Sequence, residues 1–303
     1  MKIGVISDIH SNFRAFLACA EYMEAQGCDE YIFLGDYISD NPEPGRTLEL
    51  LYEFWATHSC FIIRGNREDY ILDQWKIRKG EKEGPLWIKN SASGNLLYTY
   101  DNLSEKDLLF FDSLPITAVF HKEGYPSITC AHGSPGNSRE LLEFEEEPVR
   151  NWLNRIDTEY LLCAHTHRPG MKIIGKKTYI NSGCSGLAIS DAGLAQCVIL
   201  TSETIDGNVS WIPEFLKLPY DNEAVIEDMF SSGLYDYGHW FINANIHILK
   251  TGIDKAPELI SLSTKLAKED LGEEIIWPYI DEKYFEQAAG LLGIPEYGRF
   301  KKK

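Results

Sequence analysis

Short apolar runs recur along the chain, and several of them stop at glycine, aspartate or histidine. Residues 2–6 (KIGVI) form the first run and predict a strand, and Phe13, Phe16, Leu17 and Ala20 recur at helical spacing and predict a helix over 12–25. Residues 31–34 read as a second strand, 48–55 as a second helix and 60–63 as a third strand. This strand–helix–strand–helix–strand order implies parallel pairing through right-handed crossovers. Residues 70–100 hold Trp75 and Trp87 among charged and glycine-containing turns and give no firm element. Ser104 with Asp107 three positions on is a capping box that opens a helix ending before Pro115. The runs 116–120 and 127–131 flank Glu123-Gly124 and read as a hairpin, and a helix near 146–155 precedes a strand over 160–164. Two more hairpins follow, 171–174 with 178–181, and 196–201 with 209–212 around Asp206-Gly207.

After Pro219 the pattern becomes helical. Segments over 221–292 are punctuated by Gly233, Gly252, Gly272 and Pro278, with Trp240, Phe241, Ile246 and Leu249 on an apolar face. The expected organisation is an α/β core over 1–218 and a helical lobe over 219–303 packed onto it. Lys301, Lys302 and Lys303 read as a frayed tail.

Composition narrows the partners. The chain has 303 residues, 44% of them hydrophobic, enough for a large core with an appended lobe. Its 46 acids against 29 basic residues give a formal charge of −17, a field that repels duplex nucleic acid. Seven cysteines form no short pairs, and Cys60, Cys130 and Cys163 sit in apolar runs as small core residues. No secretory leader pattern opens the chain, and no apolar stretch approaches 18 residues. The expectation is a reduced, cytoplasmic protein with no membrane partner.

The candidate chemistry lies where the strands stop. In FIIRGNREDY (61–70), Gly65 breaks a strand and places Asn66 and Arg67 at its carboxyl end, which caps a turn or faces a ligand. Four other strands end alike: Asp8 and His10 follow the first, Gly35-Asp36 the second, His132-Gly133 a middle strand, and His165 with His167 the next. Any one cluster fits a helix cap or chance. Five in this order point to a shared edge. Two aspartates, an asparagine and four histidines form a mixed nitrogen and oxygen set suited to manganese, iron or zinc. In two-metal sites a carboxylate can bridge ions about 3.5–4 Å apart that clamp a phosphoryl group. His58, His121, His239 and His247 stand alone and read as surface or satisfied core.

Asp8-Ile9-His10, Gly35-Asp36, Gly65-Asn66, Ala131-His132-Gly133 and Ala164-His165-Thr166-His167 resemble the five signature blocks of the calcineurin-like metallophosphoesterases, over about residues 1–215. The resemblance implies a four-layer α/β fold, a β-sandwich flanked by helices, with a binuclear centre at the strand ends. It implies that Asp8, His10 and His167 hold one ion, that Asn66, His132 and His165 hold the other, and that Asp36 bridges them. The ions would be divalent or trivalent transition metals, manganese foremost, with iron, zinc or nickel as alternatives. The run GDYISDNPEP (35–44) is similar to the loop of small bacterial and archaeal members and lacks the Asp-Arg-Gly ending of protein serine/threonine phosphatases. HGSP (132–135) and YINSG (179–183) also resemble the small-molecule branch, with Ser182 where proline is commoner.

One block departs from the family pattern: Arg67 stands where a histidine usually follows the asparagine. A guanidinium cannot release its proton at working pH, so Arg67 reads as a phosphate clamp oriented by Glu68 and not as a general acid. The plainer alternative is an exposed ion pair with Glu68 or Asp69. The catalytic set expected from the resemblance is Asp36, Asn66, Arg67 and His132, with Asn66 and Arg67 touching substrate. The implied reaction is attack of metal-bound hydroxide on a phosphodiester, phosphoanhydride or phosphomonoester of a small molecule, nucleotides and dinucleoside polyphosphates among them. Two other readings stand beside it: a non-catalytic metal- or nucleotide-binding module, and a protein phosphatase.

Overall fold

The computed structural model describes residues 1–298, so the lysine tail lies outside the described residues. In chain order the elements are β1 (Lys2–Ile6), α1 (Phe13–Ala25), β2 (Glu30–Phe33), α2 (Pro44–Thr57), β3 (Cys60–Ile62), α3 (Asn66–Arg78), α4 (Gly94–Asp101) and α5 (Glu105–Ser113). Then come β4 (Thr117–Phe120), β5 (Ile128–Ala131), α6 (Glu146–Arg155), β6 (Tyr160–Cys163), β7 (Gly170–Ile174), β8 (Lys177–Asn181), β9 (Leu194–Ile205) and β10 (Asn208–Pro219). The chain continues through α7 (Asn222–Ser231), α8 (Leu234–Tyr237), α9 (His239–Thr251), α10 (Ala256–Leu271) and α11 (Glu282–Leu292).

Two mixed sheets face each other, one ordered β10-β9-β1-β2-β3 and the other β4-β5-β6-β8-β7. Strands β1, β2 and β3 pair in parallel, as their helical crossovers require. Three apolar clusters separate four layers. Phe16, Phe33, Leu51 and Phe111 bind helices to the first sheet. Ile3, Val5, Ile32, Leu162 and Val198 fill the space between the sheets. Val149, Leu153 and Leu161 hold α6 against the second sheet. The expected α/β sandwich is the fold observed.

The capping box holds: the Ser104 backbone N–H donates to Asp107 Oδ2 at 2.8 Å and opens α5. The last hairpin is much longer than its apolar core suggests, because β9 and β10 stay paired for 12 residues each, beyond the alternating stretch. The unassigned region contains two helices. Helix α3 starts at Asn66 itself, with Glu68 and Asp69 in its first turn, and α4 is hidden by its mixture of small and polar residues (GNLLYTYD). Cys130 and Cys163 are buried, whereas Cys60 is only half-buried on the short strand β3.

Helices α7 and α9 pack against the preceding part of the chain. Ile226, Met229, Ile242 and Ile246 pack with Tyr98, Cys184 and Leu187 of the preceding segments. Polar contacts reinforce this: Asn90 Nδ2 donates to Pro278 O at 2.7 Å, and Ser91 Oγ donates to Glu282 Oε2 at 2.9 Å. Among the described residues, no helix is long and apolar enough to cross a membrane.

Candidate metal centre

Five loops at the strand ends lean on one another through their backbones. Asp8 N donates to Gly35 O at 3.1 Å, His10 N to Asp36 O at 2.9 Å, and Ala164 N to His132 O at 2.8 Å. Gly186 N closes the ring by donating to Asp8 O at 2.9 Å. The approach between the second and third loops depends on Gly65: a Cβ there would sit 2.2 Å from Asp36 Oδ1. The bent loops hold side chains in left-handed backbone positions. Asp8, His10, Asp36, Asp40, His165 and His167 all have φ between 49° and 68°. Such conformations cost roughly 1–3 kcal/mol each and gather where function requires a fixed direction.

The directions converge. His10 Nε2 lies 3.2 Å from His167 Nε2, and His167 Nε2 lies 3.3 Å from Asp8 Oδ1. His132 Nε2 lies 2.9 Å from Asn66 Oδ1 and 3.4 Å from Asp36 Oδ2. Asp36 Oδ2 is also 3.9 Å from His10 Nε2, between the two groups. Asp8, His10 and Asp36 form one set of donor atoms within 4.8 Å of one another, and Asp36, His132 and His165 form a second. All seven expected ligand side chains therefore meet at one place. Asp8, His10, Asp36, Asn66 and His132 are buried, and the His167 side chain is 17% exposed.

Three imidazoles are oriented from behind. His132 Nδ1 donates to Leu34 O at 2.8 Å and His167 Nδ1 to Leu187 O at 3.1 Å, so in the neutral ring each Nε2 presents its lone pair to the centre. His10 Nδ1 faces Asp40 Oδ2 at 2.9 Å. Facing nitrogen and oxygen atoms this close need a proton or a metal cation between them. Two ligands at about 2.0–2.1 Å from a tetrahedral ion stand about 3.3–3.4 Å apart, which matches the His10–His167 and His167–Asp8 separations. Buried Asp8 Oδ1 has no hydrogen-bond partner, which also fits a metal-ligating oxygen.

The electrostatics favour positive charge at the centre. Burial opposes ionisation of Asp8 and Asp36, yet His132 and the neighbouring imidazoles hold both carboxyls well below the usual range. Burial likewise opposes a charge on His132, and Asp36 and Asp8 overcome it and raise that group to about 9. His165 goes the other way, to about 4, through burial and repulsion by His132, so its ring is neutral and able to ligate.

The structure corrects the expected surroundings of Arg67. Its partner is neither Glu68 nor Asp69 but Asp40, with Arg67 Nη2 2.9 Å from Asp40 Oδ2. The same carboxylate oxygen faces His10, so Asp40 joins the guanidinium to one of the converging imidazoles. Arg67 Nε is buried without a hydrogen-bond partner, while the side chain as a whole is 23% exposed. Glu68 has a different task. Fully buried, it accepts from Asp36 N at 2.9 Å, Tyr37 N at 2.8 Å and Gly65 N at 2.8 Å, fastening the second loop to the third. Burial and the Asp36 charge push its carboxyl up to about 7. Asp69 instead meets Arg64 at 2.8 Å.

Sequence reasoning passed over Asp40, Asn95, Cys184 and Asn245. Asn95 Nδ2 donates to Asp40 Oδ1 at 2.7 Å, and Asn245 Nδ2 of α9 donates to Asp40 O at 2.9 Å. Cys184 offers its sulfur beside His10 and His167. The signal for Asp40 was present in its position four residues after Asp36 within GDYISDNPEP. The isolated histidines stay away from the centre: His58 pairs with Glu24, His239 with Glu296, His121 meets Ser127, and His247 meets Tyr297.

Known proteins resemble this chain in sequence and in fold. The uncharacterized protein MJ0912 of Methanocaldococcus jannaschii is 27% identical over 133 residues, 44% of this chain and 49% of that protein, so the match spans about half of the relative's length. The crystal structure of hypothetical protein PH1004 from Pyrococcus horikoshii OT3 superposes with a TM-score of 0.67 at 22% identity, covering 84% of this chain and 99% of that one. A metallophosphoesterase from Sphaerobacter thermophilus superposes with a TM-score of 0.62 at 19% identity, covering 84% of this chain and all of that one (100%). Residues 1–169, more than half of the chain, match the calcineurin-like phosphoesterase pattern, and the chain belongs to that family.

Proposed function

We propose that the protein is a metal-dependent phosphoester hydrolase of a small phosphorylated molecule, with a core over 1–218 that carries two ions and a helical lobe over 219–303. Asp8, His10 and His167 would hold one ion, Asn66, His132 and His165 the other, and Asp36 both. The observation that carries this reading is the sharing of Asp36 between two compact donor sets. Bound there, transition-metal ions such as manganese would polarise a phosphoryl oxygen and bring the pKa of a water towards neutrality.

The protein's own groups do the rest. Asp36 is fixed by the Arg67 backbone N–H, which donates to its Oδ1 at 2.8 Å, so its Oδ2 faces the ligand space. Arg67, braced by Asp40, can give N–H bonds to a phosphate oxygen but cannot supply a proton. Substrates whose leaving group needs no proton, aryl esters and phosphoanhydrides, are therefore expected to react faster than alkyl esters. A seven-donor centre with oriented lone pairs also weighs against a purely non-catalytic module.

The test is turnover of a leaving-group series with manganese by wild type and Arg67→Ala. Metal-dependent hydrolysis, lowered about ten- to hundred-fold in the variant, is expected from losing one charge-assisted hydrogen bond. A manganese-loaded protein that hydrolyses no phosphoester would refute the reading.

A further inference from the structure

A cavity of about 590 Å³ lies between the metal centre and the helical lobe. Its size falls within the roughly 300–1,000 Å³ of small-molecule sites. Asp40, Arg67 and His167 form part of its wall, so it is continuous with the place where a phosphate would sit. Its other walls are mainly apolar, and they come from both parts of the molecule. Tyr70 and Trp87 belong to the core, while Phe241 and Trp277 belong to the lobe. Trp277 is 39% exposed, although its lobe neighbours Tyr284 and Phe285 are 4% and 0% exposed. An indole left this open towards a cavity is a surface that a flat ligand can cover.

The charges limit what can enter. Arg67 is engaged by Asp40 at 2.9 Å, and Arg139 by Asp73 at 3.1 Å while it lies over the Tyr70 ring at 4.4 Å. Among the described residues lining the cavity, both arginines are thus already matched by acids, and a second phosphate would meet no unmatched arginine. Asp254, also in the wall, has its Oδ1 on the Ala256 N–H at 2.9 Å and adds negative charge. A polyphosphate tail or an acidic group is disfavoured there. An uncharged ring, stacked on aromatic faces, is favoured.

We propose that this cavity is the subsite for the organic group of the substrate, and that this group is an uncharged aromatic or heteroaromatic ring system. The proposal rests on the phosphoesterase reading and adds the lobe, through Phe241 and Trp277, as a determinant of specificity. It narrows the substrate to an ester joining one phosphate at the centre to one flat group under the lobe.

The test compares adenosine 5′-monophosphate with ribose 5-phosphate on the manganese-loaded full chain. The two share a phosphate linkage and a primary-alcohol leaving group and differ in the heteroaromatic ring. Wild type is expected to prefer the adenosine ester in kcat/KM by about ten- to hundred-fold, the factor that burial of one large apolar group supplies. Trp277→Ala should bring that ratio down towards unity, and Trp277→Phe should retain most of it. Equal kcat/KM in wild type, or a preference untouched by Trp277→Ala, would overturn the subsite and leave phosphoester hydrolysis standing. If neither alkyl ester is hydrolysed, turnover of an aryl phosphate such as 4-nitrophenyl phosphate decides the phosphoesterase reading, and calorimetric titration with adenosine reads the subsite alone. Saturable binding weakened about ten-fold by Trp277→Ala would then support it, and absence of binding would overturn it.

Discussion

The metal centre and the helical lobe touch at Asp40, yet they are built by opposite rules. In the described lobe the left-handed backbone positions are all glycine: Gly233, Gly252, Gly272 and Gly293, where that conformation costs little. Around the centre most are aspartates, histidines and serines, with Gly35 and Gly183 beside them. The lobe hides aliphatic and aromatic side chains, whereas the centre hides carboxylates and imidazoles that gain from burial only in company. The difference shows where free energy of folding is spent. Apolar layers of ordinary geometry over-determine a ring of loops whose strained residues and facing lone pairs would not persist alone.

If that contrast is right, removing the ordinary half should have the largest effect. A 1–218 fragment uncovers Tyr98 and Leu187, which pack under α7 and α9, at roughly 1.5–3 kcal/mol for each large apolar side chain. The expected outcome is insoluble or destabilised protein by thermal melting, and a soluble fragment with full activity would break the comparison.

Within the centre, Asp36→Asn should be the most damaging single change, because it weakens the carboxylate that both donor sets share. A loss of kcat of at least about a hundred-fold is expected, since even partners behind a ligand are worth about ten- to a hundred-fold. Asp40→Asn should fall in that lower range. It keeps the shape but weakens the hold on His10 and Arg67, so manganese affinity and kcat should drop together by about ten- to a hundred-fold. Asn245→Ala should be mildest. It deletes one neutral bond to Asp40 O, worth about 0.5–1.5 kcal/mol, so a shift of a few degrees or less in melting temperature is expected with metal content unchanged.

Much of this was legible in the sequence, and the gaps share a cause. Apolar periodicity located the strands of both sheets and the helical end, and five short clusters located the side chains that converge at the strand ends. Helices α3 and α4 escaped because their apolar stripe is diluted: α3 opens on Asn66, which faces the centre, and on Glu68, whose buried carboxylate serves the neighbouring loops. The roles of Asp40 and Glu68 were out of reach for a related reason. Both act on backbone or side chains that are remote in sequence or on another loop, and local charge pairing pointed Arg67 at its nearest acids instead. Spacing reveals which residues share an element. It does not reveal which loops lean on each other.

The account stands on a centre of two ions sharing Asp36, and the most direct measurement is the metal content of manganese-loaded protein after gel filtration, by plasma mass spectrometry. About two ions per chain are expected in wild type, with clearly fewer in Asp36→Asn. One ion or none in wild type at saturating manganese, or full occupancy in Asp36→Asn, would contradict it.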